Sequence, residues 1–360
     1  MFNNDWFVVA LDTGNGELKI VSDSVKRLRV GGVLGRYKAP LGKTKMQSER
    51  DIPLYEVEGD PQQWVIGYQD VDRVKAAPLL VAGREGLVRY SQPMYSTYSK
   101  IGLAKAIGDQ RPARVLVVTS TPARDSLDKK IVEALDKIFR DVHKLKINDE
   151  RVIINVTNYE TMSETEASLY DVYLNDEGFV ADASVENQDI IVINAGYGTT
   201  DISRYNELEY IPLDRETIKV SYLDVIQRLK DWLTEQIGKE ITVQEVTRQL
   251  DEQIASETKK FVFVGEEIPG FDDIYKKTVK AVFDDLFAEL QILIPDPDLF
   301  NRVRVVGGAA VDSIWGQYFK KWSKRVEIPE DPQFSSARGM YRYGKYLANE
   351  LREQTAAGKE

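Results

Sequence analysis

Two glycine-rich turns, each preceded by a run of apolar residues, lie about half a chain apart in this sequence. The first turn follows residues 8–11 and begins at Asp12, and the second follows residues 190–193 and begins at Asn194. A short apolar run predicts a buried strand, and glycines let a turn expose its backbone N–H groups to phosphate. The repetition predicts two related halves that face one ligand, and we infer that this ligand is a nucleotide.

The first turn has the spacing Asp-x-Gly-x-Gly-x-x-Lys, from Asp12 to Lys19. Gly14 and Gly16 allow the backbone to approach phosphate oxygens closely, and the Lys19 ammonium adds positive charge there. The carboxylate of Asp12 would repel a phosphate, so we expect it to act through a hydrated Mg²⁺ ion. A plain β-hairpin with a glycine turn has the same pattern, and this alternative stays open for the turn taken alone.

The second turn runs from Asn194 to Asp201 and contains two glycines, two threonines and a terminal acidic residue. Its hydroxyl and N–H groups are donors to which phosphate oxygens can bind. The residues expected to bind phosphate are Gly196, Gly198, Thr199 and Thr200. A hairpin is again the plain alternative, but two such turns in one chain, in this order, favour a functional site.

Gly307 and Gly308 follow the predicted strand 302–306, in which valines alternate with Arg302 and Arg304, and precede a predicted helix. Such a turn lets a planar group or a phosphate come close, and the N-terminus of a helix favours anions. Many strand-to-helix turns contain glycine without binding a ligand, so this motif is weak by itself.

Glu164 lies just before a helix predicted to begin near residue 165, with Glu166 beside it. Acidic residues at a helix N-terminus stabilise it by roughly 0.3–1 kcal/mol, which is a purely structural explanation. A carboxylate there could instead orient or deprotonate a water that attacks a γ-phosphate. From the residues alone, the structural explanation is favoured.

Composition excludes several classes of function. The 360-residue chain has a formal net charge of -10, which argues against direct binding to a nucleic-acid backbone. It has no cysteine and one histidine, His143, which we expect on a helix surface, so a thiolate site, a Ser-His-Asp triad or a poly-histidine metal site is disfavoured. No stretch approaches the roughly 18 apolar residues of a membrane span, and residues 1–5 do not resemble a signal peptide. We therefore expect a cytoplasmic protein that does not contact a membrane.

Alternation of apolar runs with helical periodicity predicts an α/β protein. The predicted strands are 6–11, 17–21, 114–119, 152–156, 189–194 and 302–306. The predicted helices are 97–108, 125–144, 165–174, 217–237, 242–258, 272–294, about 310–321 and 335–350. Residues 22–98 carry only scattered strand patterns and are interpreted as an inserted subdomain, partly mobile around 36–50.

These motifs, in this order, resemble those of the actin, Hsp70 and sugar-kinase superfamily. Residues 12–19 and 194–201 are similar to its two phosphate loops, residues 305–310 to its adenosine motif and residues 163–170 to its first connecting helix. Within the superfamily the chain is most similar to the ParM/StbA group of actin-like proteins. Its length, the Gly-Thr-Thr-Asp of the second loop, and residues 333–341, which resemble the second connecting helix, favour that group.

The resemblance implies an actin-like ATPase fold of two RNase H-like domains with a nucleotide cleft between them. Domain I would comprise residues 1–175, with an inserted subdomain at about 22–98, and would be completed by a C-terminal helix at 332–352. Domain II would comprise residues 176–331.

The resemblance also implies a role for each motif. Asp12 would hold Mg²⁺ through water, Gly307 and Gly308 would pack against adenosine, and Glu164 would position the attacking water. The residues at the β- and γ-phosphates would be Gly14, Asn15, Gly16 and Lys19. Asn194 departs from the family pattern, which usually has Asp at this catalytic position. Asparagine keeps the shape but cannot accept a proton, so hydrolysis is expected to be slow.

The function implied is that of a nucleotide-binding protein that polymerises head to tail with ATP, or GTP, and Mg²⁺. In relatives such filaments move plasmid DNA through a DNA-binding adaptor, so the expected partners are further copies of the chain and an adaptor, with no direct contact to nucleic acid. Two alternatives stay open. One is a small-molecule kinase or phosphatase of the same superfamily, and the other is a cytoskeletal scaffold that binds nucleotide with little hydrolysis.

Overall fold

Two compact units make up the chain. One consists of Met1–Ala181 with Ser336–Glu360, and the other of Asp182–Ser335. The computed structural model describes residues 6–14, 16–38, 52–80, 86–213, 216–254 and 256–357. Asn15, one of the predicted phosphate-binding residues, lies outside the described residues, as does most of the stretch around 36–50 that was expected to be mobile.

The first unit is built on one mixed sheet, whose strand order among the described residues is β3-β2-β1-β8-β10-β9-β5-β6-β4-β7. Its strands are β1 (Phe7–Thr13), β2 (Glu17–Ser22), β3 (Leu28–Gly31), β4 (Val33–Arg36), β5 (Tyr55–Val57), β6 (Gln63–Ile66), β7 (Pro78–Leu80), β8 (Val115–Thr121), β9 (Val142–Ile147) and β10 (Glu150–Ser163). Strands β1 and β10 pair in parallel with β8, and β2 pairs antiparallel with β1. The parallel centre places the carboxyl ends of β1, β8 and β10 at the same edge.

The helices described along the first part of this unit are α1 (Tyr68–Arg73), α2 (Gly86–Tyr90), α3 (Pro93–Ile107), α4 (Ala123–Ser126), α5 (Lys129–Phe139) and α6 (Glu164–Tyr173). All seven residues of β8 are buried. Val115 and Val117 belong to the core that also contains residues of α3 and α5. A strand buried on both faces needs apolar side chains on both, which explains why this segment lacks the alternation of a half-exposed strand.

The predicted helix at 125–144 is wrong in its last part. The helix ends at Phe139, and β9 follows, antiparallel to β10. His143 and Leu145 are buried whereas Val142 and Lys146 are exposed, which is the alternation of a strand with one covered face. His143 is therefore a buried strand residue, 3% exposed, and not a surface residue of a helix.

The segment at 22–98 is more ordered than its sequence indicates. Its strands β5, β6, β4 and β7 continue the main sheet, since β5 pairs with β9. Strand β10 is also longer than predicted: its first half pairs with β9 and its second half with β8. Pairing partners distant in the chain therefore extend these strands beyond what their local patterns predict.

The second unit contains a smaller sheet with the order β13-β12-β11-β17-β18. Its strands are β11 (Asp189–Ala195), β12 (Thr200–Asn206), β13 (Glu209–Ile211), β14 (Thr217–Ile218), β15 (Val262–Phe263), β16 (Glu266–Glu267), β17 (Arg302–Val306) and β18 (Val326–Glu327). Strand β14 pairs with β12, and β15 and β16 form a separate ribbon. The N-terminal part of the helix predicted at 217–237 is thus a short strand.

The helices of the second unit are α7 (Tyr222–Ile237), α8 (Val243–Asp251), α9 (Phe271–Leu293) and α10 (Ser313–Trp322). Short 3₁₀ turns lie at Ala183–Asn187, Pro297–Leu299, Ala309–Val311 and Pro332–Phe334. One core joins Ile191 and Ile193 of β11 and Val303 and Val305 of β17 to the apolar faces of α7, α9 and α10. This packing fixes the ends of β11 and β17, where the predicted glycine turns begin.

The C-terminal helix α11 (Ser335–Ala357) returns to the first unit. A side chain at Gly339 would collide with the Ala167 carbonyl of α6, so glycine permits this close crossing of two helices. Arg338 donates two hydrogen bonds, each 2.7 Å long, to the carboxylate of the buried Asp171 on α6. Helix α11 thereby fixes the position of α6, which begins at Glu164. Within the described part of the chain, no helix is both long and apolar enough to cross a membrane.

Candidate functional site

The first glycine turn connects β1 and β2, and it begins at a buried ion pair. Antiparallel pairing places Asp12 opposite Lys19. The Lys19 ammonium lies 3.0 Å from Oδ2 of Asp12, and the two side chains are only 14% and 4% exposed. Burial by itself lowers the pKa of Lys19, but Asp12, Glu17 and Glu164 outweigh it, so the pKa is raised above its ordinary value. Lys19 is therefore a permanent cation at this turn.

The turn itself is shaped by backbone contacts. A Cβ atom at Gly14 would lie 3.2 Å from the carbonyl oxygen of Glu17, which is tighter than ordinary packing. The Gly16 carbonyl accepts a hydrogen bond from the Gly32 N–H at 2.8 Å, which ties the turn to the neighbouring strand. Asn15 lies outside the described residues, so its expected contact with phosphate stays a prediction.

Glu164 occupies the first position of α6, directly after β10. Ser163 caps this helix, since its hydroxyl accepts a hydrogen bond from the Glu166 N–H at 3.0 Å. The Glu164 carbonyl in turn accepts hydrogen bonds from Ser168 and from Ser336 of α11. The half-buried Glu164 is close enough to Lys19 to raise the pKa of that ammonium. The fold of the first unit thus brings Glu164 to the Asp12 turn, 152 residues away in sequence.

Sequence reasoning missed a second buried cation at this turn. Arg89 of α2 is 5% exposed, and its Nη2 donates a hydrogen bond to the Thr13 carbonyl. Its guanidinium carbon lies 5.5 Å and 5.8 Å from the ring centres of Tyr90 and Tyr95. The segment before α3 has no motif that would distinguish Arg89 from a surface arginine. Its placement depends on where α2 packs.

The second turn follows β11, as its sequence predicts, and Asn194 is buried there, 4% exposed. Asn194 pairs with Asp201 of β12 on one side and with Val306 of β17 on the other. The Gly196 N–H donates to the Thr199 carbonyl at 2.9 Å, which closes the turn. The first residues of α7 also contact it, since the Leu223 N–H donates to the Tyr197 carbonyl at 2.8 Å.

The two threonines of this turn differ in their surroundings. Thr200 is fully buried, and its hydroxyl donates to the Val220 carbonyl at 2.8 Å. Thr199 is half-buried, and its hydroxyl donates to Asp201 at 3.2 Å, while Thr217 donates to the same carboxylate at 2.6 Å. Gly196 and Gly198 are also half-buried. The accessible groups of this turn are therefore those of residues 196–199. Thr200 stabilises the turn through its buried hydrogen bond to Val220.

Gly307 follows β17 and lies against the second turn. Its φ of +96° is in the region that favours glycine, and an added Cβ would lie 2.5 Å from Oδ1 of Asn194 and still closer to the Ala195 carbonyl. Gly308 differs, because its φ is -64° and the nearest atom to an added Cβ is Nε2 of Gln333 at 4.0 Å. The fold of the second unit thus requires glycine at 307, whereas the space beside Gly308 is open.

The first glycine turn by itself suits a hydrated magnesium ion. Among the described residues there is no group of three or more acidic, histidine or cysteine side chains that could hold a metal directly. Magnesium keeps several of its waters and is usually held through one or two carboxylates together with substrate phosphates. The buried carboxylate of Asp12 fits that requirement. Within the second unit, the space beside Gly308 is open enough for a planar group.

Comparison by sequence gives one match. Residues 10–165 match the family model described as the N-terminal domain of actin-like proteins. This range contains the Asp12 turn, the Arg89 helix and Glu164. A search of curated proteins with the same sequence finds no match.

Comparison by structure extends over nearly the whole chain. An apo ParM protein of psk41 is 17% identical and has a TM-score of 0.73, with 97% of this chain and 100% of that chain covered. Ta0583, an archaeal actin homologue that has also been solved in complex with ADP, is 18% identical with a TM-score of 0.72, covering 96% of this chain and 99% of that chain. A ParM from Clostridium botulinum, solved as a 15-stranded filament, is 16% identical with a TM-score of 0.72, covering 95% and 99%.

These likenesses agree with the order of strands, turns and helices described above. Residues 10–165 thus match the N-terminal domain of actin-like proteins, and the chain has the actin-like fold of the solved structures to which it is similar.

Proposed function

We propose that this protein binds ATP, or GTP, with Mg²⁺, hydrolyses it slowly, and polymerises with nucleotide into filaments. We further propose that these filaments move plasmid DNA through a DNA-binding adaptor, in the cytoplasm. The observation that carries the enzymatic part is the meeting of Asp12, Lys19 and Glu164 at one glycine turn of the first unit. Two carboxylates and a permanent cation around a half-buried glycine turn are suited to phosphate chemistry.

Each residue has a role in this proposal. Asp12 holds the water shell of Mg²⁺, which when bound neutralises charge on the phosphates. Lys19 and the N–H groups of residues 14–16 bind the β- and γ-phosphates. Glu164, at the N-terminus of α6, orients the attacking water and accepts its proton. Gly196, Gly198 and Thr199 bind phosphate from the second unit, and Gly307 and Gly308 pack against the nucleoside.

Asn194 is the reason for proposing slow turnover. The amide is buried and fixed between β12 and β17, so its shape is that of the aspartate it replaces. An amide cannot accept a proton from water as a carboxylate does. Nucleotide binding therefore persists in this proposal while the hydrolytic step is weakened.

Polymerisation and partners are proposed from the relatives. The ParM from Clostridium botulinum was solved as a filament, and Ta0583 was solved with ADP. Head-to-tail contacts between identical subunits give open filaments when the rotation between subunits does not close into a ring. The net charge of -10 favours an adaptor between the filament and DNA over direct contact with the phosphate backbone.

The test is a concentration series of the protein with Mg²⁺ and ATP, in which light scattering and phosphate release are followed together. We expect scattering above a critical concentration, and phosphate release that follows it. Glu164→Gln should keep nucleotide binding and polymerisation but lower the rate of phosphate release by about 100-fold, the lower end for loss of a general base. Glu166→Gln, two residues further along the same helix, is the matched control and should leave the rate unchanged.

Two other results would decide for a different function. Scattering without any phosphate release would favour a static scaffold, which the buried Asn194 also supports. Nucleotide binding without scattering would favour a small-molecule kinase or phosphatase, and a substrate screen would follow. The same series with GTP decides which base is preferred.

A further inference from the structure

Arg89 is a buried cation beside the first glycine turn that the proposed roles do not use. It lies on the short helix α2, and only 5% of its surface is exposed. Its Nε atom is buried and has no hydrogen-bond partner within the described residues. Native proteins rarely leave a buried guanidinium donor without a partner, so such an atom requires an explanation.

The position of Arg89 is fixed by the first glycine turn. Its Nη2 donates to the Thr13 carbonyl, the residue directly after Asp12. The Thr13 hydroxyl is in turn 2.7 Å from the hydroxyl of Tyr95, on whose ring the guanidinium lies. Arg89 and Tyr95 thus hold the same residue of the turn, Arg89 through the backbone and Tyr95 through the side chain.

The charge of Arg89 acts on the carboxylates of the site. Burial by itself lowers the pKa of the guanidinium, but Tyr90, Tyr95, Glu164 and Asp12 outweigh it and the pKa is raised. Glu17, the further carboxylate near Lys19, is paired with Arg29 at 3.1 Å. The inner cluster therefore consists of two carboxylates, Asp12 and Glu164, and two cations, Lys19 and Arg89, with no net charge.

This balance has a consequence for ligands of different charge. Without Arg89 the inner cluster would carry a net charge of about -1, and it would repel a ligand in proportion to the ligand's negative charge. A nucleoside triphosphate carries one charge more than the diphosphate. Because Asp12 and Arg89 are buried and Lys19 and Glu164 are half-buried, salt would screen this repulsion less than it would between exposed charges.

We propose that Arg89 is a positioning residue of the nucleotide site, which holds the Asp12 turn through Thr13 and supplies the charge that favours triphosphate over diphosphate. This inference rests on the proposed binding of nucleotide. Arg89 acts through the turn and through the field at Asp12 and Glu164, and it takes no proton in the reaction. The residue therefore sets the preference between substrate and product and has a smaller effect on the chemical step.

The test compares the affinities of the protein for Mg²⁺ with ADP and for Mg²⁺ with a non-hydrolysable ATP analogue, below the concentration at which it polymerises. Arg89→Gln should weaken binding of the analogue about tenfold more than binding of ADP. Arg89→Lys keeps the charge but loses the planar fork, so it should weaken both ligands equally and keep the wild-type preference. Tyr95→Phe removes a contact to the turn without a change of charge. It should therefore also weaken binding of ADP and of the ATP analogue equally.

Arg124→Gln is the matched control, because Arg124 is an exposed arginine of α4 in the same unit. It should leave both affinities unchanged at 0.5 M salt, where the effect of Arg89→Gln should persist. Circular dichroism identifies variants that do not fold. If Arg89→Gln does not fold, the test depends on Arg89→Lys. A folded Arg89→Lys that has lost the preference for triphosphate over diphosphate would overturn the inference.

Equal weakening of both ligands by Arg89→Gln would mean that the residue is only structural, and would overturn the inference while nucleotide binding stands. Wild-type protein that binds neither ligand would instead overturn the proposed function, and the role of Arg89 with it.

Discussion

The Lys19 ammonium is bonded to the carboxylate of Asp12, its neighbour across the strands β1 and β2, at 3.0 Å. The pairing follows from register: residues directly opposite in an antiparallel ladder extend their side chains to the same face. In the ligand-free protein Lys19 therefore neutralises Asp12. A bound magnesium ion would take over part of that role and leave Lys19 for a phosphate. Because Lys19 is expected to exchange Asp12 for a phosphate, the contribution of the Asp12–Lys19 pair to stability can be measured without nucleotide.

Replacement of Lys19 by Met should destabilise the ligand-free protein. Loss of one partner leaves a buried carboxylate without compensation, and we expect the free energy of unfolding to fall by roughly 3 kcal/mol. The double variant Asp12→Asn with Lys19→Met should regain most of this loss, because it removes both charges. Urea denaturation without nucleotide measures all three proteins. If Lys19→Met unfolds at the wild-type midpoint, the pair does not stabilise the fold.

The two neighbouring glycines after β17 should respond differently to alanine. Gly307→Ala requires a left-handed backbone and places a methyl group 2.5 Å from Oδ1 of Asn194, so we expect a loss of stability of about 1–3 kcal/mol. Gly308→Ala meets no atom closer than 4.0 Å and should unfold like the wild type. If Gly308 packs against the nucleoside, the same variant should weaken nucleotide binding several-fold. Thermal unfolding and a binding titration separate the two effects, and unchanged affinity of Gly308→Ala would remove that residue from the site.

Asn194→Asp should increase the rate of hydrolysis. The substitution is isosteric and restores a carboxylate at the buried end of β11, where it could help to align and deprotonate water. We expect single-turnover phosphate release about tenfold faster or more, within the range of general-base effects. Asn194→Ser, which lacks both the shape and the charge, is the control and should not be faster. An unchanged or lower rate in Asn194→Asp would count against the assignment.

The only histidine provides a pH-dependent probe of the first unit. Burial lowers the pKa of His143 from its ordinary value of 6.5, although the hydrogen bond of its Nε2 with the Phe139 carbonyl, 2.8 Å long, acts in the opposite direction. The unfolded chain therefore binds a proton more readily than the folded one, and stability should be complete above pH 6.5 and decline as the pH falls below it. Unfolding at pH 5–8 should show this slope, and His143→Phe should reduce it. An NMR titration of the single imidazole with a midpoint at or above 6.5 would contradict this explanation.

Local patterns alone predicted a large part of the fold. The apolar runs that precede Asp12 and Asn194 form β1 and β11, the valine-rich segment before Gly307 forms β17, and the turns follow where those strands end. They were predictable because each depends on neighbours in sequence: apolar residues that need burial and glycines that permit a sharp turn. The long helices α9 and α11 have the periodicity of one buried face. Helix α9 lies close to its predicted bounds, whereas α11 begins where predicted but continues past residue 350 to Ala357.

Patterns of only a few residues were misinterpreted. Residues 142–144 directly follow a helix and are predicted to continue it, yet β10 offers residues 142–147 an open strand edge and they form β9. That preference depends on the packing of the whole sheet, which a single-sequence pattern does not record. The buried position of His143 follows from the same pairing.

The sequence by itself determined which residues form turns beside strand ends, because strand and turn formation depend on local chemistry. The tertiary structure alone decided what stands next to them. It places Glu164 and Arg89, which are 152 and 77 residues from Asp12 in sequence, beside the Asp12 turn. The physical reason is that electrostatic interactions depend on distance in space and on burial, and both are set only when α2, α6 and α11 pack around the central strands.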